Sequence, residues 1–297
     1  MPALNEADSV AASVRGVKSA FAKSSLPVEV EVVVVDGNST DSTVSAAKGE
    51  DAMVIVQKNK GYGDALYTGF VYSSRELRAD VICTIDADGS YEPKTLVEGV
   101  SKLVHDQFDL VICARVPDAG AMRAANRFGN RVISSMVRWI LGVDVTDSQS
   151  GMFIFLAGLV DNISPKVRGW AFNTEILTRA LESEYRIGEI SGAYRKRLGD
   201  SKLSIFSGGV VNLAAILRMT RDSRPLLFHG VISTVLLLAA IVMGIKTVIT
   251  SSQLLAIFTA LLALAGAQIL IFGLVADMIK DVRVGQLKKP LPYRMPD

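Results

Sequence analysis

Two long apolar stretches near the C-terminus set the strongest limit on how this chain can fold. Leu226–Val248 and Leu254–Ala276 each contain 23 residues, and the second carries no charged side chain. A helix of that length reaches about 34 Å, which is enough to cross the hydrocarbon core of a bilayer. Core helices this long normally show a polar face, and these show almost none. We therefore predict a tight transmembrane hairpin and not a pair of buried core helices.

Basic residues flank the predicted hairpin on both sides. They are Arg218, Arg221 and Arg224 before it, and Lys280, Arg283, Lys288 and Lys289 after it. Because Lys and Arg tend to stay on the cytoplasmic side, both flanks and the N-terminal domain are predicted to lie in the cytoplasm. The polar, acidic start MPALNEADSV does not resemble a cleavable signal peptide. The predicted location is the cell membrane, with two spans.

A further periodic segment precedes the hairpin. Its apolar residues recur at three- and four-residue spacing, at Leu203, Phe206, Val210, Leu213 and Leu217. This pattern predicts amphipathic helices over residues 201–224 on the inner membrane surface, although a helix packed on the N-terminal domain would show the same pattern. The predicted domains are therefore residues 1–200, the interface segment 201–224, the hairpin 225–277 and a cytoplasmic tail 278–297.

The first 200 residues alternate strand-like and helix-like segments. Strands are predicted at residues 28–37, 53–57, 80–88 and 109–115, with helical patterns such as 8–23 and 93–106 between them. That order predicts an α/β fold, a mostly parallel sheet with helices on both faces, whose ligand lies at the carboxyl ends of the strands. Asp36, Asp86 and Arg115 all fall at such ends.

Asp86 and Asp88 follow an apolar run with no basic residue among their immediate neighbours. Aspartates often end strands and begin turns, which explains many such triplets. The Gly-rich segment 59–70 lacks the third Gly or Ala of a dinucleotide fingerprint, and the sequence contains no Walker A loop. Two Cys and two His are too scattered for a zinc site. What remains is a nucleotide beside a carboxylate pair, with Mg²⁺ or Mn²⁺ as the counter-charge.

Positive charge is concentrated in two other stretches. Residues 115–138 carry five arginines against one aspartate, and residues 195–224 carry seven Lys and Arg against two aspartates. Such clustering predicts that an anionic group meets these stretches.

Six segments in order resemble the GT-A glycosyltransferases of family 2. They are PALNEA (2–7), VVVDGNSTDST (33–43), KGYGDAL (60–66), TIDADGSYEP (84–93), DSQSGM (147–152) and WAFNTEIL (170–177). The set is similar to the polyprenyl-phosphate branch, which includes dolichyl-phosphate mannose and glucose synthases. The entry into the hairpin, RDSRPLLFHG, resembles archaeal members of that branch, so the resemblance covers essentially the whole chain. It implies a GT-A (Rossmann-like) fold.

The resemblance also implies roles for individual residues. Residues implied to bind the nucleotide base and ribose are Pro2, Leu4, Asn5, Glu6 and Asp36, and those beside the nucleotide are Lys60, Gly63 and Asp64. Asp86 and Asp88 would bind the metal and the diphosphate. Ser90 stands where mannose synthases often place a glutamine ligand, which leaves the coordination shell and the sugar open. The family has a strand before PALNE, so we expect a start upstream of Met1 or a truncated chain.

The implied reaction is an inverting transfer of a hexose from a UDP- or GDP-sugar to dolichyl or another polyprenyl phosphate on the cytoplasmic leaflet. A lipid monophosphate is already anionic and needs no base, but it needs cations that hold it in line. The predicted acceptor-phosphate residues are Arg115, Arg127, Arg131, Arg197, Ser201 and Lys202. Asp88 and Arg131 are predicted to act at the reaction centre, and Glu175 and Asp147 to shape the sugar pocket or to stand near the reaction centre.

Two alternatives stay open at this stage. A family 2 enzyme that glycosylates a sugar hydroxyl of a growing glycan or glycolipid would need a base and a longer acceptor groove. A non-catalytic nucleotide-sugar-binding membrane protein would keep the donor motifs without turnover. The identity of the sugar, the nucleotide base of the donor, the polyprenyl length and a homo-oligomeric state stay open. No nucleic acid partner is expected.

Overall fold

The computed structural model describes residues 1–163, 171–197, 217–218, 220–287 and 289. The chain divides into two compact units, Met1–Leu213 with Lys288–Asp297, and Ala214–Leu287. Most of the predicted interface segment 201–224 lies outside the described residues. Its amphipathic helices therefore stay a prediction.

The first unit begins with a three-stranded parallel sheet. Its strands are β1 (Pro2–Ala3), β2 (Val33–Asp36) and β3 (Met53–Val56), in the order β1-β2-β3, with α1 (Val10–Ala22) and α2 (Thr43–Lys48) between them. The sequence pattern predicted a longer β2, over residues 28–37. Glu29 and Glu31 are exposed, and the strand begins only where burial becomes continuous. A strand buried on both faces is typical of a parallel sheet.

A four-stranded mixed sheet completes this unit. Its strands are β4 (Val81–Cys83), β5 (Leu110–Pro117), β6 (Phe153–Leu156) and β7 (Ile187–Tyr194), in the order β4-β6-β5-β7. Strand β6 runs antiparallel to both neighbours, and β7 is parallel to β5. The helices here are α3 (Tyr62–Arg75), α4 (Lys94–His105), α5 (Ala124–Leu141) and α6 (Ala171–Glu182), with a 3₁₀ segment at Ala157–Asn162. The predicted α/β class is confirmed, with one antiparallel strand inserted.

The second unit is a helical hairpin of α7 (Pro225–Thr250) and α8 (Gln253–Val284). Both helices are long and apolar enough to cross a membrane, and α8 continues past the predicted span end at residue 276. Glycines allow the two helices to approach closely: a Cβ on Gly266 would lie 2.9 Å from the Leu237 side chain. The Ser233 hydroxyl donates a hydrogen bond to the Gly266 carbonyl at 2.7 Å. Small residues and such bonds are the usual means of packing helices in lipid.

Candidate active site

The aspartate pair lies in the turn that follows β4. The backbone N–H of Ser90 donates to Asp88 Oδ1 at 3.0 Å, and the Tyr62 hydroxyl donates to Asp86 Oδ1 at 3.2 Å. Gly151 lies against this pair, since a Cβ there would be 3.0 Å from Asp86 Oδ2 and 2.9 Å from the Tyr62 oxygen. The DSQSGM segment therefore needs a glycine at this position to let Asp86 occupy its place.

The electrostatics of this pair favour a bound cation. Burial and, to a lesser extent, the neighbouring charge of Asp88 raise the pKa of Asp86 to about 6. Ser90 is fully buried, and its hydroxyl makes no hydrogen bond of ordinary geometry with a described residue. In the described part of the chain no three His, Cys, Asp or Glu side chains form a ready-made metal cluster. Two carboxylates and a hydroxyl are hard oxygen donors, so these residues fit a divalent cation that takes its other ligands from a bound phosphate.

A second buried carboxylate marks the predicted nucleotide side. Asp36, at the end of β2, accepts from the Ser39 backbone N–H through Oδ2 at 3.0 Å. Its Oδ1 atom is buried and has no hydrogen-bond partner among the described residues. The loop after β1 is tied to the loop after β2, because Asn5 N–H donates to Ser39 Oγ and Glu6 N–H donates to Thr43 Oγ1. The two loops are thus held together beside a carboxylate oxygen, Asp36 Oδ1, that receives no hydrogen bond from a described residue.

The other predicted nucleotide residues differ in how they are held. Pro2 lies in β1, and Leu4 is 41% exposed next to it. Asp64 is buried and accepts from the Asn59 backbone N–H at 2.8 Å and from the Asn59 amide at 2.9 Å. Its carboxylate is therefore used to close the loop that enters α3. Within that loop Lys60 is exposed, and Gly63 is buried in the first turn of the helix.

Arg115 and both candidate acidic residues near the sugar are held in ion pairs. Arg115 donates through Nε and Nη2 to the two oxygens of Asp147, at 2.6 and 2.9 Å, and its guanidinium lies 5.5 Å from the centre of the Tyr194 ring. Glu175 is paired with Arg179 at 2.7 Å. These ion pairs occupy both oxygens of Asp147 and the Oε1 atom of Glu175, so the two carboxylates are poorly placed to accept a proton from a hydroxyl. The acceptor-phosphate role of Arg115 stays a prediction.

Helix α5 carries a polar and an apolar stripe side by side on its exposed surface. Arg127 and Arg131 are one turn apart and exposed. Phe128 is 71% exposed, Trp139 is 70% exposed and Val132 is 41% exposed. At 3.6 residues per turn the three apolar positions fall within about 40° of one another, next to the arginines. We term this surface, Arg127, Phe128, Arg131, Val132 and Trp139, the α5 face. Helical spacing of its aromatic residues was the signal that could have revealed it.

Arg197 lies at the aspartate pair and not on the α5 face. Its Nη2 atom is 3.2 Å from Glu6 Oε1 and 3.6 Å from Asp88 Oδ2. It therefore joins the predicted nucleotide loop to the predicted metal site. Ser201 and Lys202, the other two predicted acceptor residues of this region, lie outside the described residues.

Comparison with known proteins gives one family and several relatives. A "Dolichyl-phosphate hexose transferase" of Haloferax volcanii is 32% identical over 199 residues, which span 65% of this chain and 82% of that protein. "Glycosyltransferase AglJ" of the same organism is 28% identical over 269 residues, with 87% of each chain covered. Glucosyl-3-phosphoglycerate synthase of Mycobacterium tuberculosis, solved with Mn²⁺, UDP and glucosyl-3-phosphoglycerate, superposes with a TM-score of 0.57 at 20% identity, over 74% of this chain and 76% of that one.

The structural likeness confirms the predicted fold. At 20% identity it shows nothing beyond the fold. The family itself is shown by sequence. The model of glycosyl transferase family 2 matches residues 1–160, which is more than half of the chain and includes β1 to β6 with the aspartate pair and Gly151. The protein belongs to glycosyltransferase family 2 and is a glycosyltransferase.

Proposed function

We propose that this protein transfers a hexose from a nucleotide sugar to dolichyl or another polyprenyl phosphate at the cytoplasmic face of the membrane. Two of its relatives support the reaction class, since one bears the name dolichyl-phosphate hexose transferase and another the name UDP-N-acetylglucosamine–dolichyl-phosphate N-acetylglucosaminyltransferase. The structural observation that carries the proposal is the α5 face.

The donor end of the reaction falls to the residues at the strand ends. Asp86 and Asp88 would hold a divalent cation, Mg²⁺ or Mn²⁺, and Ser90 would lie within its reach. When bound, such a cation stabilises the charge that develops on a departing nucleoside diphosphate. Asp36, with its unpartnered Oδ1, would accept a hydrogen bond from the ribose or the base. A solved structure of similar fold holds Mn²⁺ and UDP together, which is consistent with this arrangement.

The α5 face suits an acceptor that is anionic at one end and greasy at the other. Arg127 and Arg131 offer planar guanidinium groups that match phosphate oxygens. Phe128 and Trp139 are too exposed for a core role, and aromatic side chains of this kind favour the membrane interface. One helix surface therefore presents hydrogen-bond donors for a phosphate beside apolar side chains that favour lipid.

The engaged carboxylates favour a phosphate acceptor over a sugar hydroxyl. A hydroxyl acceptor requires a positioned base, and the two candidates, Asp147 and Glu175, are each fixed by an arginine. A phosphate acceptor requires none, because its oxygen is already anionic. Arg131 would then hold the attacking oxygen in line without moving a proton.

The test is a kinetic comparison of two substrates in one variant. Arg131→Ala should raise the KM for a short polyprenyl phosphate by about one to two decades, the loss expected for a charge-assisted contact of roughly 1.5–3 kcal/mol. The KM for the nucleotide sugar should change by less than about twofold. Arg131→Lys should recover part of the loss, since lysine offers a point charge and no fork. Arg75→Ala, which removes an exposed arginine at the end of α3, is the matched control.

Two results would contradict the proposal. A rise in the donor KM with an unchanged acceptor KM would mean that Arg131 holds the diphosphate of the donor. Transfer to a free sugar or glycolipid hydroxyl, with no transfer to any polyprenyl phosphate, would favour the alternative family 2 reaction.

The membrane orientation is a separate part of the proposal. The helices α7 and α8 are joined by a short turn that contains Ser251, and basic residues flank the hairpin on both sides. If the catalytic unit is cytoplasmic, a cysteine at Ser251 should react with an impermeant maleimide added outside intact cells. Labelling of that cysteine only after the membrane is opened would place the catalytic unit on the other side.

A further inference from the structure

Arg197 makes contacts that neither the donor nor the acceptor role explains. Its guanidinium joins Glu6, on the loop after β1, to Asp88, on the loop after β4. The two carboxylates are largely buried, with 11% and 9% of their side-chain surface exposed, whereas 30% of the Arg197 side chain is exposed. One accessible cation thus neutralises two buried anions from separate loops.

Each oxygen of Asp88 already faces a positively polarised group. Asp88 Oδ1 accepts from the Ser90 backbone N–H at 3.0 Å, and Asp88 Oδ2 faces Arg197 at 3.6 Å. The backbone N–H belongs to the turn itself and stays in place, so the oxygen that can change partner is Oδ2. A divalent cation that binds Asp88 therefore competes with Arg197.

Arg197 itself is incompletely satisfied in this position. Its Nε atom is buried and has no hydrogen-bond partner among the described residues. A buried unpaired donor is unfavourable, and this is more so for a charged group. The unpaired Nε makes the position beside Asp88 less favourable, so a second cation can displace Arg197 from Asp88. The contact with Glu6 at 3.2 Å can remain.

We propose that Arg197 is a built-in counter-ion of the metal site, which neutralises Asp88 until a divalent cation displaces it and which thereby lowers the affinity of the site for that cation. The inference rests on the cation-binding part of the proposed function. It makes Arg197 a positioning residue of the donor site, and it links loading of the cation to release of an arginine beside it.

The test is the affinity of the full-length, detergent-solubilised protein for Mn²⁺ alone, measured from the free Mn²⁺ signal in electron paramagnetic resonance. A positive charge a few ångströms from a carboxylate weakens the binding of another cation to that carboxylate by about tenfold or more. Arg197→Gln removes this charge, so it should tighten Mn²⁺ binding about tenfold. Arg197→Lys keeps the charge but not the fork that reaches both carboxylates, and it should tighten binding about threefold. Arg195→Gln is the matched control, because Arg195 lies on the same segment and pairs with Glu92 at 3.4 Å. It should leave the affinity within about twofold of wild type.

Each outcome is decisive. Unchanged or weaker Mn²⁺ binding in Arg197→Gln, with a wild-type circular dichroism spectrum, overturns the counter-ion role while the proposed function stands. Should Arg197→Gln not fold, the same reading applies to Arg197→Lys, and an affinity equal to wild type there overturns the role. A wild-type protein that binds no Mn²⁺, either alone or with UDP present, refutes the cation site, and the counter-ion role with it.

Discussion

Asp86→Asn offers an unusual test of the site, because the structure predicts that it stabilises the protein while it abolishes transfer. Asp86 is held beside Asp88 and receives one hydrogen bond from the Tyr62 hydroxyl. The substitution keeps the size of the side chain, and its amide carbonyl can still accept the Tyr62 hydrogen bond. What it removes is a charge that burial disfavours.

The magnitude follows from the pKa. Burial raises the pKa of Asp86 from 3.8 to about 6, and roughly two units correspond to about 3 kcal/mol as an upper bound. The folded state thus binds the proton more tightly than the unfolded state, so the stability of the cation-free wild type falls as the pH rises from about 4 to about 6 and is level above that. Since the side chain is partly accessible, we expect a gain of about 1–2 kcal/mol for Asp86→Asn at pH 7.5, or about 3–6 °C in Tm.

The measurement is a thermal melt of the solubilised protein in EDTA at pH 7.5 and at pH 4. Asp86→Asn should melt above wild type at pH 7.5, and the difference should disappear at pH 4. Asp88→Asn is the matched control, because Asp88 already has Arg197 as its ionic partner and its loss should bring no gain. Equal melting temperatures of Asp86→Asn and wild type at both pH values would show that the Asp86 charge does not destabilise the folded protein. The electrostatic argument for a bound cation would then be refuted.

Three further predictions concern the site and the hairpin. In wild type the apparent Kd for Mn²⁺ should rise about tenfold for each pH unit below about pH 6, where Asp86 becomes protonated; a flat Kd would contradict its role as a ligand. Tyr91→Phe should lower the free energy of unfolding by about 1–3 kcal/mol, because the Tyr91 oxygen accepts from the buried Gly151 N–H at 2.7 Å; an unchanged Tm would refute this. Gly266→Ala should lower the Tm, since a Cβ there would lie 2.9 Å from the facing helix, whereas Gly230→Ala, with nothing within 4 Å, should not; equal effects would argue against the observed packing.

The fold could be predicted where hydrophobic runs are long and bounded by turn residues. The patterns around residues 53–57 and 109–115 gave strands close to β3 and β5, and the helical pattern at 93–106 gave α4. Strand β6 was missed because its four buried residues, Phe153–Leu156, are too short a run for periodicity to classify. Its antiparallel direction has no local signal either, since direction follows from where the chain returns to the sheet.

The candidate site could be proposed from the sequence only where a local pattern marks its residues. Asp86 and Asp88 are marked by their spacing after an apolar run, and Asp36 by its place at the end of a predicted strand. Tyr62 and Gly151, which fix Asp86 in place, are 24 and 65 residues from it along the chain. Contacts of this kind depend on the packing of α3 and of the DSQSGM segment against the end of β4, and no local pattern encodes that packing.

The arginines show most clearly what composition cannot resolve. From the sequence, the two basic stretches were predicted to meet an anionic group together. In the structure, three of their arginines lie in three different environments. Arg115 is bound by Asp147, 32 residues away, and Arg197 is bound by Glu6, 191 residues away. Arg131 is exposed beside aromatic side chains. An arginine that already balances a buried carboxylate can take a phosphate only by leaving that carboxylate. Among the described residues, Arg127 and Arg131 of the α5 face are exposed, so they can meet an incoming lipid phosphate without breaking such a pair.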